Sequence, residues 1–268
     1  MEDKQYKIGL VLSGGGARGF AHLGVLQALN EAKIYPDVIS GTSAGALAGV
    51  LYCDGYTPKE ILKLTNTGGL LNYMRPTLPR YGLLQISGII KILENHLRAR
   101  TFEELKIPLF VAVTDLNHGE IVYFSKGELL NPIIASSSIP VLFKPVVINN
   151  IHYVDGGVMD NLPIKPIEKL CRFFIGSFVN PTGYEENFTS LISIAERTFI
   201  LNLYKEALAK SSKFDLYIAP SELRNYKILD PEKSEEVFNI GYDATRVLLY
   251  STDVMKIFSP PEEDDVDE

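Results

Sequence analysis

Apolar residues along this chain fall into two rhythms. Short apolar, partly β-branched runs at residues 7–12, 37–40, 107–114, 173–179 and 214–218 read as strands. Residues 120–124 alternate apolar and polar and follow the third run through Asn117-His118-Gly119, which marks another strand beyond a turn. Residues 146–148 and 151–154, split by Asn149-Asn150, predict a hairpin. Between these runs, Phe20, Leu23, Leu26 and Leu29 recur at helical spacing, and residues 44–52 form a small-residue apolar helix. Helices are further predicted at 58–64, 86–97, 191–210 and 232–250. Strand and helix therefore alternate, the pattern of an α/β fold.

Two of the strand-to-helix junctions carry chemistry. Ser13-Gly14-Gly15-Gly16-Ala17-Arg18-Gly19 follows the first strand, and Gly41-Thr42-Ser43-Ala44-Gly45 follows the second. The second has the G-x-S-x-G form, in which flanking glycines let the backbone turn sharply enough to expose a serine hydroxyl. The first offers bare backbone N–H groups at a helix start, where negative charge is favoured. A nucleophile and an oxyanion hole are the parts that acyl transfer needs.

Gly14-x-Gly16-x-x-Gly19 also matches the dinucleotide fingerprint, which requires an acidic residue at the end of the next strand to hold a ribose. Asp37 has nearly the right separation but precedes the apolar Val38-Ile39, so it stands at the wrong end of that strand. A P-loop is excluded because no Gly-Lys-Ser/Thr follows the glycines.

A nucleophilic serine needs a base, and α/β-hydrolases supply it in the chain order Ser, Asp/Glu, His. The four histidines are His22, His96, His118 and His152, whereas the best-placed acid, Asp155 in Asp155-Gly156-Gly157, comes after all of them. A triad in that order cannot use Asp155, which leaves a Ser–Asp dyad. His22 reads as a packed helix residue, and His118 and His152 read as surface positions.

The glycine run Gly14-Gly15-Gly16-Ala17-Arg18-Gly19, the elbow Gly41-Thr42-Ser43-Ala44-Gly45 and Asp155-Gly156-Gly157 together resemble the patatin-like phospholipase family in its bacterial single-domain form. Residues 21–26, 113–117, 135–140 and 160–163 agree, so the resemblance covers about residues 6 to 180; Asp160 stands where the family often carries asparagine. The resemblance implies a three-layer α/β/α fold with a mostly parallel central sheet and a phospholipase A-like lipid acyl hydrolase without metal or cofactor. It implies Ser43 as nucleophile, Asp155 as base, and Gly14, Gly15 and Gly16 as the oxyanion hole. Arg18, Gly19, Gly41, Gly45, Gly156 and Gly157 are expected to support them, Arg18 through carbonyl or carboxylate contacts or by standing near the oxyanion. A catalytically silent partner-binding protein on this fold would normally have lost Ser43, Asp155 or a loop glycine, and all are present.

The 268 residues, 46% of them hydrophobic, suffice for one α/β core, and no Pro/Ser/Gly-rich linker divides them. One domain is expected over residues 6–255, followed by an acidic, solvated tail at 256–268. The charged start and the lack of any long apolar stretch predict no secretory signal and no spanning helix. Cys53 and Cys171 have no metal-ligand spacing, so a cytoplasmic location is expected. A net charge of −7 argues against nucleic acid and against electrostatic docking on anionic lipid, so contact with a membrane would be apolar or brief. Residues 66–85, apolar but broken by glycine and proline, read as a flap over an acyl pocket or as an ordinary loop. Ser136-Ser137-Ser138-Ile139-Pro140 and Phe143 are candidates to shape that pocket, although a helix end and turn would look the same.

Overall fold

The computed structural model describes residues 4–67, 87–189, 191–228, 231–251 and 257–258. The strands are β1 (Tyr6–Leu12), β2 (Val38–Thr42), β3 (Leu109–Asp115), β4 (Glu120–Phe124), β5 (Val146–Ile148), β6 (Ile151–Asp155), β7 (Cys171–Ser177) and β8 (Leu216–Ile218). The helices are α1 (Phe20–Glu31), α2 (Ala44–Cys53), α3 (Pro58–Thr67), α4 (Ser87–His96), α5 (Leu130–Ser136), α6 (Leu191–Lys210) and α7 (Ser234–Tyr250). All eight strands belong to one sheet. Its parallel core runs β3-β2-β1-β7-β8, with β1 at the centre.

Strand side chains alternate between faces, and here both faces are covered. Ile8, Leu10 and Leu12 of β1 and Ile39 of β2 join the core beneath α1, α2 and α7. Val11 and Val38 join a second core with Ala207 and Tyr204 of α6. The architecture is thus helices, sheet and helices, with the mostly parallel sheet that the resemblance implied.

The mixed edge of the sheet decides where the site forms. Val111 and Ala112 pair with β2 and β4 at once, and residues 113–115 pair with β4 and β6 at once. One edge of a strand takes one partner at a given residue, so β4 occupies one side of β3 while β2 and β6 share the other. β2 runs parallel to β3 and ends at Thr42 opposite Ala112; β6 runs antiparallel and ends at Asp155 opposite Val113. Their C-terminal ends therefore meet head to head. The β5–β6 hairpin turns at Asn149 and Asn150, both in the left-handed region at φ 50° and 65°, as a tight hairpin requires.

Helix α5 was not expected as an element. It has only two turns and carries Pro132, so the periodic signal is too short to stand out; the Glu128 carboxylate accepts the N–H groups of Leu130 and Asn131 at its start. The proposed flap lies almost wholly at residues 68–85, outside the described residues. Beyond the expected domain edge at 255, Phe258 is buried and meets Phe173 edge-on, so packed chain extends into the segment expected to be tail.

Candidate active site

Ser43 stands at the junction of β2 and α2 with φ 52° and ψ −119°, a conformation that costs a non-glycine residue about 1–3 kcal/mol. It holds because both ends of the residue are tied down. Its N–H donates to Ser136 Oγ at 2.8 Å, its carbonyl accepts the Leu47 N–H at 2.9 Å, and Ser136 Oγ in turn donates to the Ala112 carbonyl at 2.7 Å. Gly41 and Gly45 let the strand end and the first turn of α2 nest: a Cβ at Gly45 would lie 2.3 Å from the Leu12 carbonyl oxygen. Gly19 packs on Ala44 at the same corner.

Asp155, 3% exposed, lines one small cavity with Ser43, whose side chain pulls on its carboxylate. Its carboxylate also accepts the Gly157 N–H at 2.7 Å, and its own N–H donates to the Ser138 carbonyl at 3.0 Å. Burial raises its pKa to about 7 against the stabilising pull of the Ser43 side chain and the Gly157 N–H. Gly156 fits against the Ala112 carbonyl where the two strand ends meet. Helix α5 and the turn that follows it thus hold both partners, Ser43 through Ser136 and Asp155 through Ser138.

The glycine loop borders the pair. The Gly14 N–H is committed to the Asn161 carbonyl at 3.2 Å, which corrects the expectation that all three glycines present their amides. Among the described residues the Gly15 and Gly16 amides have no recorded partner, and both glycines line a small cavity with Ser43, Asp155 and Asn161. Gly16 has φ 56°, and a Cβ there would come within 2.1 Å of the Ile228 carbonyl oxygen, so only glycine fits. Arg18 is buried and turned away from the cavity: its Nε donates to the Tyr226 carbonyl at 2.7 Å, the carbonyl contact expected of it. Asn180 Nδ2 donates to the Gly14 carbonyl at 2.6 Å, a support with no signal in the sequence.

Two features separate this site from the alternatives. Asp37 accepts the Ile8 N–H at the opposite, N-terminal end of β1, far from any ligand on the glycine loop. His22 is fully buried between Ser177 Oγ and the Ser13 carbonyl, each at 2.8 Å, with its pKa lowered to about 4 by desolvation. Because the carbonyl only accepts, Nε2 carries the proton and Nδ1 accepts from Ser177; His22 is a neutral strut under the loop. His152 is exposed, and His118 pairs with Asp115 on the surface, where the carboxylate raises its pKa. Asp115, His118 and Glu120 are also the one group with metal-ligand spacing among the described residues, but Asp115 is spent on closing the 115–118 turn.

On the other side of Ser43 opens an apolar chamber. Ala17, Ser43 and Ser137 stand at one end, and Leu23, Leu47, Leu51, Ile61 and Ile92 continue it between α1, α2, α3 and α4. Ile139 and Phe143 line it as well. No helix among the described residues is long and apolar enough to cross a membrane.

Fold, elbow and glycine loop together define an α/β protein built around a serine–carboxylate pair. The chain matches the family model of patatin-like phospholipase over residues 10–167 and belongs to that family. An uncharacterized NTE family protein of Mycobacterium tuberculosis is 33% identical over 167 residues, covering 60% of this chain and 45% of that one. A lysophospholipase NTE1 of Kluyveromyces lactis is 29% identical, covering 88% of this chain and 18% of its own length. The chain thus spans less than half the length of these curated relatives. Among solved structures, VipD from Legionella pneumophila superposes with a TM-score of 0.54 at 19% identity, covering 91% of this chain and 67% of that one, a likeness of fold.

Proposed function

We propose that this protein is a serine lipid acyl hydrolase that cleaves carboxylic esters through a Ser43–Asp155 dyad. The observation that carries the reading is Ser43, held in a strained elbow conformation on the same small cavity as a buried carboxylate of raised pKa. An aspartate at its ordinary pKa near 3.9 is a weak base toward a hydroxyl, and burial corrects that. Asp155 accepts the Ser43 proton as Oγ attacks the ester carbonyl, and the carbonyl oxygen becomes an oxyanion facing the Gly15 and Gly16 N–H groups. Collapse expels the alcohol, which takes the proton from Asp155. Water, deprotonated by Asp155, then attacks the acyl-serine; the second tetrahedral intermediate releases the carboxylic acid and restores Ser43.

The substrate class follows from the chamber. Its lining of leucine and isoleucine offers an acyl chain the burial of about 0.8 kcal/mol per methylene, and offers a polar or charged acyl group nothing. Family membership and the lysophospholipase among the relatives support a lipid ester. The test is reaction with a fluorophosphonate probe, followed by mapping of the labelled peptide. Wild type is expected to label at Ser43 and to hydrolyse short-chain esters; a folded Ser43→Ala should do neither. Ester hydrolysis by Ser43→Ala above about one part in a thousand of wild type would overturn the assignment.

A further inference from the structure

The small cavity beside the dyad contains a polar group that the two-residue mechanism leaves idle. Asn161 is 1% exposed, and its main chain is pinned on both sides. Its N–H donates to Glu206 Oε2 at 2.9 Å, and its carbonyl accepts the Gly14 N–H. Behind it the buried Asp160 accepts from Tyr123 and Lys210, and Lys210 also pairs with Glu206 of α6, so the segment is braced by a half-buried polar cluster. The Asn161 side-chain oxygen lies against Gly14 and Gly157, where a Cβ would be 2.6 and 3.1 Å away; these glycines themselves touch Ser43 and Asp155. Yet Asn161 Nδ2 is buried with no hydrogen-bond partner among the described residues. A buried amide donor without an acceptor is costly and uncommon in folded proteins, and a cavity wall beside a nucleophile is where an incoming group would satisfy it.

We propose that Asn161 is a catalytic residue whose Nδ2–H donates to the substrate carbonyl oxygen, as a third oxyanion donor beside the Gly15 and Gly16 amides. This rests on the acyl hydrolase reading. A role through Asp155 is not what the geometry favours, since that carboxylate takes the Gly157 N–H and has no bond from Asn161. A neutral donor held at the wall of a small cavity gains most when negative charge develops in front of it, and the braced 160–162 segment limits how far the group must move at that moment. It also explains the use of a carboxamide: a carboxylate at 161 would repel both Asp155 and the oxyanion.

The test compares wild type with Asn161→Ala and Asn161→Ser, as full chains, for the rate of fluorophosphonate labelling, for kcat and KM on a short-chain ester between pH 5.5 and 9, and for Tm. Labelling rate and kcat are expected to fall about 100-fold or more with KM within about threefold. The pH midpoint of the acid limb should stay in place, and Tm should hold or rise because an unpaired donor has been removed. Unchanged kcat overturns the proposal. So does a kcat loss with a shifted acid limb, which assigns Asn161 to positioning Asp155, and so does failure of both variants to fold, which makes it structural. Wild type that labels normally, with variants labelling equally fast, sinks this inference alone; wild type that does not label sinks the hydrolase reading beneath it.

Discussion

Asp155 shows at the scale of one residue how stability and reactivity oppose each other. Its ordinary pKa of 3.8 is pushed up to about 7 because the charged form loses water that the Ser43 side chain and the Gly157 N–H only partly replace. Between those values the folded protein holds a proton that the unfolded chain releases, so this group withdraws stability as pH rises through the window, and the loss is complete above about pH 7. Asp155→Asn is accordingly expected to abolish ester hydrolysis and yet to raise Tm over wild type at pH 8, with no such gain at pH 4. Thermal melts at the two pH values check the sign; a lower Tm at pH 8 would show that the carboxylate is stabilised rather than strained. In wild type the same titration should appear as an acid limb in kcat, with activity rising through about pH 7. His22, with its pKa lowered to about 4, has the opposite sign: stability leaves as pH falls from 6.5 toward 4, which is why the melts are compared between variant and wild type at each pH.

At the scale of elements, the short helix α5 determines whether the site is assembled. It sends Ser136 Oγ to the Ser43 N–H, and the turn at its C-terminus sends the Ser138 carbonyl to the Asp155 N–H and contributes Ser137 to the apolar chamber. Ser136→Ala would leave the buried Ser43 N–H unpaired at a position already in a disfavoured conformation. Loss of about 1–3 kcal/mol in urea unfolding is expected, with a kcat loss larger than the change in KM, because the elbow relaxes. Stability and kcat both equal to wild type would remove α5 from the support of the site. The glycine loop is an element of a different kind, since replacing Gly16 by alanine would force the loop off the Ile228 carbonyl whatever its chemistry. The Asn161 variants, which leave the loop backbone in place, are the cleaner probe of the oxyanion site.

At the scale of the whole molecule, strand ends of the sheet carry Ser43 and Asp155, and the helical layer of α1, α2, α3 and α4 carries the chamber. Ala48 of α2 lines that chamber, and Ala48→Leu should fill part of it. Long-chain esters are then expected to lose kcat/KM about tenfold or more relative to a short-chain ester, whose turnover stays near wild type. A uniform loss across chain lengths would mean that the acyl group lies elsewhere. The order of motifs along the sequence determined much of this protein: the alternating strands and helices, the serine elbow, the glycine run, and the exclusion of Asp37 as a ribose ligand and of the histidines as triad members. Those are local properties, legible because glycine, β-branched runs and chain order constrain backbone geometry over a few residues. Tertiary structure alone decided that β2 and β6 share one edge of β3 and bring Ser43 to Asp155 across 112 positions of chain. It also decided that Gly14 spends its amide on Asn161, that α5 and the turn after it brace both Ser43 and Asp155, and that Asn161 Nδ2 is buried beside the cavity with no partner among the described residues. Such facts depend on which hydrogen-bonding groups burial leaves satisfied, and that is settled only when distant segments have packed together.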